Sequence, residues 1–279
     1  MLIFDNHLHL RRDGRYIEAI KDFEKAGGTH CVLCQYPQPE KVLEKQSYVP
    51  LYQDTLTMAK EVQQQTKVKM FITVGPYPVD YLFYCEKKDR QFALTMMKQG
   101  LEEAKQFCFD HELCVAIGEI GRPHFPVDEQ VIQDANDILR YGMEQAKDAK
   151  VPIVLHTEST TPQQCRELAN MAKEVGFSVE KLIKHYAPPL ITFEENAGLI
   201  PSVLASKKNI EIALQKGDRF LMETDYIDDL NRPGAVLGPK TVPKVTCSFL
   251  ERGIMSEQQA YNIHCQLPEG IYDITLEER

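Results

Sequence analysis

Short β-rich runs alternate with amphipathic segments along most of this chain, and that rhythm restricts the possible folds more than any other feature. The runs are 2–7, 30–35, 69–75, 114–119, 151–156, 181–185, 198–203 and 219–224. Helical spacing marks 15–26, 53–66, 91–109, 129–149, 162–175 and 206–216. The clearest is 129–149, where Val131, Ala135, Ile138, Leu139, Gly142 and Ala146 recur on one face after a candidate N-cap, Asp128. Alternating β and α predicts a parallel sheet with helices outside it. Eight such units predict closure into a (β/α)8 TIM barrel. An open doubly wound sheet would usually carry a glycine-rich phosphate loop after its first strand. Here the first strand ends in histidines. No repeat or linker divides the 279 residues. The expectation is one domain over 1–279, with the barrel at about 1–230 and extra C-terminal helices at about 239–266. The last of these opens with a Ser256-x-x-Gln259 capping box.

Net charge is −9, and no basic stripe breaks the acidic balance. Such a surface repels polyanions, so long duplex nucleic acid is not expected as a partner. The eight cysteines are scattered. Cys31-x-x-Cys34 is the only close pair, and it lies in an apolar run without a second pair, so both read as small core residues. Reduced thiols and a strand starting at residue 2 predict a cytoplasmic protein. No apolar run approaches the roughly 20 residues of a membrane span, and no protein partner is indicated.

The ends of the β-rich runs carry the chemistry. The first run reads Asp5-Asn6-His7-Leu8-His9. Strand alternation predicts that Asp5, His7 and His9 share a face, with Leu8 opposite. Two imidazoles so placed suit a transition metal, and equally a hydrogen-bonded core pair. The fourth run ends at Glu119, the fifth at His156, the sixth at His185 and the eighth at Asp225. Singly, each has an ordinary reading: Glu119 paired with Lys184 or Arg122, the histidines exposed at strand ends, Asp225 capping a turn. Together they gather at the C-terminal mouth, where burial would be costly without a compensating cation. Glu223 faces inward one layer deeper and reads as structural. His30, His111 and His264 read as outside the site. The long connections 36–52 and 76–90, the second bearing Tyr77 and Tyr81, leave the same end and read as binding loops or as a seal over the barrel.

This pattern resembles the TatD-like branch of the metal-dependent amidohydrolase superfamily. The resemblance spans nearly the whole chain. It rests on Asp5-Asn6-His7-Leu8-His9, Gly118-Glu119-Ile120-Gly121, Glu129-Gln130, Pro152 to His156, Ile183-Lys184-His185, Glu223-Thr224-Asp225 and Asn262-Ile263-His264. It implies two divalent cations, with His7, His9 and Asp225 on one, His156 and His185 on the other, and Glu119 bridging. It implies hydrolysis by a water that they activate, with Glu119 and Asp225 in catalytic roles and Asp225 handling the proton. Asp5 would fix an imidazole by a hydrogen bond. Zinc, manganese, nickel or iron suits the donors, magnesium less so.

Two departures bear on substrate. Arg122-Pro123-His124 follows the glutamate motif where Leu-Asp is usual. Glu158 stands two residues after His156 in place of an arginine, which weakens phosphodiester binding or adds a ligand for a third metal. Arg122 and His124 could substitute as phosphate contacts. The implied activity is that of a TatD-like phosphodiesterase or deoxyribonuclease on short nucleic acid. The alternative is hydrolysis of a small amide, ester or lactone at the same site. A scaffold with a decayed site is a third reading.

Overall fold

The computed structural model describes residues 1–277. Nine parallel strands make one curled sheet: β1 (Phe4–His9), β2 (His30–Cys34), β3 (Lys69–Val74), β4 (Cys114–Gly121), β5 (Ile153–His156), β6 (Leu182–Ala187), β7 (Ile200–Leu204), β8 (Leu221–Glu223) and β9 (Tyr226–Ile227). Their order is β8-β7-β6-β5-β4-β3-β2-β1-β9, so chain neighbours are sheet neighbours up to β8. The eight expected runs all form strands, each close to its expected bounds. Buried on both faces, they carry the branched apolar residues that such strands require. Phe4, Val32, Phe71, Val115, Val154, Ile183, Ile200 and Leu221, one from each of β1 to β8, pack in one apolar cluster inside the curl. Leu8, Cys31, Leu33, Ile72, Ile117 and Leu155 point outward into the helices.

The expected closure is incomplete as a hydrogen-bonded ladder. No pairing joins β8 to β1 among the described residues; β9 takes the place beside β1, with Leu8 opposite Tyr226 and His9 opposite Ile227. The cause lies at Asp225, whose φ of 47° is left-handed and breaks the eighth strand. Side chains bridge the gap. The Asp5 carboxylate accepts from the Thr224 N–H at 2.9 Å and from Thr224 Oγ1 at 2.7 Å, and the Asp225 N–H donates to the His7 carbonyl at 2.9 Å.

Strand β1 also departs from simple alternation. Asp5 lies opposite Cys31 but Leu8 opposite Leu33, so β1 holds one extra residue, a β-bulge. Regular alternation would give Phe4 and Leu8 the same face. Phe4 instead lies inside and Leu8 outside. The bulge shifts the phase, so His7 and His9 turn inward while Asp5 stays behind in the seam.

The helices follow the expected pattern with local corrections. Glu129–Ala149 has the expected bounds, although Asp128 caps it without a side-chain hydrogen bond. Pro162–Glu174 and Glu257–Tyr261 begin with capping boxes built on Thr161 and Ser256. The two long connections are not bare loops. Residues 36–52 contain the helix Pro39–Lys45 and the start of Val49–Gln65, and residues 76–90 contain Asp80–Lys87. Pro39 and Pro50 punctuate that stretch, yet both sit in first turns, where proline is tolerated. At the C-terminus, Thr241–Glu251 and Glu257–Tyr261 are followed by a π-helical turn and by Leu267–Tyr272, so the helices run past the expected 266. Among the described residues no helix is long and apolar enough to cross a membrane.

This last segment forms the floor of the curled sheet. Tyr272 stacks on Phe4 with centroids 6.2 Å apart, and its hydroxyl donates to Asn6 Oδ1 at 2.7 Å. His264 Nδ1 lies 3.2 Å from the Phe4 nitrogen, and its Nε2 lies 2.9 Å from Thr246 Oγ1. Burial pushes the His264 imidazole down to about 4, against a weaker opposing hydrogen bond with the Phe4 backbone.

Two outcomes follow. His264 stays neutral in the folded chain while the unfolded chain takes up a proton near 6.5. Stability is therefore lost as pH falls from 6.5 toward 4, by roughly 3 kcal/mol from this group. Denaturant titrations across that window will show wild type losing this increment relative to His264→Gln. Asp5→Ala leaves the Thr224 N–H without its buried acceptor and costs about 3 kcal/mol, read as a lower denaturation midpoint. Asp5→Asn keeps an acceptor and loses less.

Candidate metal centre

At the C-terminal ends of the strands the expected side chains converge. His7 Nε2 and His9 Nε2 are 3.2 Å apart. His7 Nε2 is 3.7 Å from Glu119 Oε1, and His9 Nε2 is 3.6 Å from Glu119 Oε2. His156 Nδ1 and His185 Nε2 approach Glu119 Oε1 to 2.9 and 3.3 Å. Asp225 Oδ1 stands 3.9 Å from both His7 and His9 and 4.0 Å from His185. The His7 and His185 rings stack at 3.9 Å. Glu119 is thus the hub, touched by imidazoles from β1, β5 and β6.

Local backbone sets this hub. In the run Gly118-Glu119-Ile120-Gly121, a Cβ on Gly118 would lie 2.6 Å from the Val154 Cβ. Gly121 has a φ of 143°, and a Cβ there would lie 2.2 Å from the His156 carbonyl oxygen. Only glycine lets β4 lie this close to β5, which brings Glu119 and His156 together.

The orienting carboxylate differs from the one expected. Asp5 touches the His7 backbone N–H, at 3.3 Å, and Thr224, not an imidazole ring. The β1 bulge accounts for this. Glu223 is the carboxylate beside a ring: its Oε1 lies 2.9 Å from His185 Nδ1 and accepts the Tyr186 N–H at 2.8 Å. Ser202 Oγ donates to Glu223 Oε2 at 2.5 Å, and Asn6 Nδ2 donates to Ser202 Oγ at 2.9 Å. A polar chain therefore runs from Tyr272 in the floor, through Asn6, Ser202 and Glu223, to His185. His9 is oriented from the other side, with its Nδ1 3.2 Å from the Cys34 carbonyl.

Burial lowers His7, His9 and His156, and the neighbouring His185 pushes His7 down further. Burial also disfavours charge on His185, but Glu223, Asp225 and Glu119 overcome it and raise this imidazole to about 9. Glu119 is held well below the carboxylate range by His185, His156 and His7, against its burial. Burial carries Asp225 up to about 7, with His185 opposing.

Over the cluster opens a cavity of about 670 Å³, with His9, Glu119, His156, His185 and Asp225 at its base. His7 is fully buried beneath. Tyr77 and His124 line the wall, and both touch His156 Nε2, at 3.2 and 3.0 Å. The other residues expected at the substrate do not line it. Tyr81 is buried with its hydroxyl on Asp134. Arg122 donates to Asn136 Oδ1 at 2.7 Å and to Glu158 Oε1 at 3.1 Å, and Gln164 also donates to Glu158. Arg122 and Glu158 thus pair behind the wall through Glu158 Oε1, while Glu158 Oε2 is buried without a hydrogen-bond partner among the described residues. Tyr36, Tyr186 and Arg232 do line the cavity and were not anticipated. Tyr36 and Arg232 lie in loops, where no periodicity points a side chain, and Tyr186 follows His185 in β6 with a left-handed φ of 51°. Cys34 was read as core, yet its Sγ falls among the ligand-type atoms of His7, His9 and Glu119.

The donor set fits divalent cations. Imidazole and carboxylate atoms of His7, His9, Glu119, His156 and His185 lie in groups within 4.8 Å of one another. His7 Nδ1 is buried without a hydrogen-bond partner among the described residues, as in a ring arranged for something other than the protein. Nitrogen and oxygen donors at this density suit a transition metal.

The curled parallel sheet thus carries imidazoles and carboxylates together at the C-terminal ends of its strands. The chain belongs to the TatD related DNase family, whose sequence profile matches residues 4–273. The uncharacterized protein MJ1127 of Methanocaldococcus jannaschii is 39% identical over 278 residues, covering 99% of this chain and 97% of that one. From the same organism, the uncharacterized metal-dependent hydrolase MJ0761 is 24% identical over 231 residues, covering 80% and 83%. Among solved structures, the organophosphorus hydrolase from Deinococcus radiodurans has a TM-score of 0.65 at 14% identity, covering 97% of this chain and 92% of that one. The phosphotriesterase homology protein from Escherichia coli, with phosphate in its active site, has a TM-score of 0.65 at 11% identity, covering 97% and 98%. These two likenesses establish shared fold.

Glu223→Gln removes the carboxylate beside His185 while keeping its shape. Zinc affinity is expected to fall about 10–100-fold, measured by competition with a chromogenic chelator. An unchanged affinity would remove Glu223 from the support of the site.

Proposed function

We propose that this protein is a metal-dependent hydrolase of phosphoesters, acting on small or single-stranded substrates. The observation that carries the reading is the approach of His7, His9, His185 and Asp225 around one buried carboxylate, Glu119. In this reading His7, His9 and Asp225 hold one cation, His156 and His185 a second, and Glu119 stands between them. Bound there, the cations supply Lewis acidity and make a water molecule nucleophilic near neutral pH.

The chain's own residues supply the rest. Asp225, at the base of the cavity, is placed to take a proton and return it to a leaving group. Glu223 orients His185, and the Cys34 carbonyl orients His9. Tyr36, Tyr77 and Tyr186 offer faces for an aromatic leaving group or a base. A single arginine, Arg232, paired with Asp229 at 3.0 Å, is among the lining residues, which suits one anionic group rather than a long backbone. The net charge of −9 also favours a compact substrate. Membership of the TatD related DNase family and the likeness to a phosphotriesterase homology protein with phosphate in its active site support the phosphoester choice.

A second reading keeps the same centre and hydrolyses a small ester, amide or lactone. The tyrosine-walled cavity favours it, as does the internal engagement of Arg122, which leaves no guanidinium fork beside Glu119.

Protein loaded with zinc, manganese or cobalt is expected to cleave bis-p-nitrophenyl phosphate and a short single-stranded oligonucleotide faster than duplex DNA. Chelation and His7→Ala should each reduce this to background, and Asp225→Asn should lower kcat by about 10²–10⁴-fold. Turnover of lactones or p-nitrophenyl esters without phosphodiester cleavage would select the second reading. Chelator-insensitive activity, or its survival in His7→Ala, would defeat both.

A further inference from the structure

Cys34 ends β2 at the mouth of the sheet and is fully buried. Val32, two residues before it, belongs to the apolar cluster inside the curl, whereas Cys31 and Leu33 belong to the outer core. Strand alternation therefore points Cys34 inward, one step above Val32. Its Sγ and the ligand-type atoms of His7, His9 and Glu119 all lie within 4.8 Å of one another. Two further contacts tie it to the same place. Its carbonyl lies 3.2 Å from His9 Nδ1, which leaves His9 Nε2 to face Glu119 and Asp225. Its thiol is set against the Glu119 carboxylate and main-chain N–H. Packing alone would be met here by alanine or valine. Sulfur among two imidazoles and a carboxylate is instead a donor set of borderline softness.

We propose that Cys34 is a ligand of the cation held by His7 and His9, and that it makes this half of the centre prefer a thiophilic ion such as zinc over manganese or magnesium. The inference rests on the metal centre proposed above and assigns it a donor outside the nitrogen and oxygen set. Binding displaces the thiol proton to solvent, leaving the thiolate on the cation. Hard cations gain little from sulfur, so the preference follows from donor chemistry.

Cobalt(II) provides the test, because thiolate ligation adds a sulfur-to-cobalt charge-transfer absorption in the near ultraviolet that nitrogen and oxygen ligands do not. Chelator-stripped wild type reloaded with cobalt(II) should show this band together with visible d–d bands. Cys34→Ser and Cys34→Ala should keep the d–d bands and lose the charge transfer, while Cys31→Ser retains both. Zinc affinity of the Cys34 variants should fall at least about tenfold, with manganese affinity little changed. Wild type that takes up cobalt without the charge-transfer band overturns the ligand and leaves the centre standing. So does a zinc affinity equal in wild type and Cys34→Ser. Wild type that takes up no cobalt overturns the centre itself. The wild-type spectrum decides the matter even if both Cys34 variants fail to fold.

Discussion

A carboxylate buried at the heart of the sheet is the constraint to which the rest of this structure answers. Glu119 sits 4% exposed at the end of β4, where desolvation alone would make its charge very costly. Imidazoles from β1, β5 and β6 offset that cost, and each arrives from a strand end that the parallel topology has already brought alongside. The same topology keeps the lower part of the interior apolar, with one side chain from each of β1 to β8 in a single layer. Charge is thereby concentrated at the end where the strands open to solvent. Removing one imidazole would leave the carboxylate less compensated, so the groups gathered there stabilise one another.

Between the apolar layer and the centre lies a thin polar layer that links the two. Hydrogen bonds run from the Tyr272 hydroxyl through Asn6 and Ser202 to Glu223, whose carboxylate lies 2.9 Å from His185 Nδ1. Asp5 works at the same depth but sideways, holding Thr224 where the backbone ladder is missing. The break in the eighth strand and the bulge in the first have one joint effect. They turn Asp225, His7 and His9 toward Glu119, at the expense of regular pairing that Asp5 then replaces. Irregular backbone of this kind concentrates where side chains must be aimed.

Much of this could be read from the chain. Parallel strands buried on both faces have a strong sequence signal, and a histidine or carboxylate closing an apolar run marks a strand end. That reasoning expected six such side chains at one mouth, and they lie together there. The bulge in β1 left no trace, because an inserted residue changes phase without changing composition. The expectation for Asp5 therefore misplaced its carboxylate, and the orienting role belongs to Glu223. Arg122 and Glu158 pair with each other and with Asn136 and Gln164, neighbours that only the folded chain supplies. Cys34 was within reach, since counting two residues on from Val32 turns it inward. Its apolar surroundings in the sequence hid that alternation.

The floor of the sheet has a consequence for how the protein is made. Phe4, in β1, meets its stacking partner Tyr272 and its backbone contact His264 only when a segment some 260 residues later has emerged from the ribosome. Until then the greasy interior of the incomplete curl has no lid beneath it. All the strands of the sheet must be made before β1 can settle on its floor, which leaves a window in which nascent copies can stick to each other or need a chaperone.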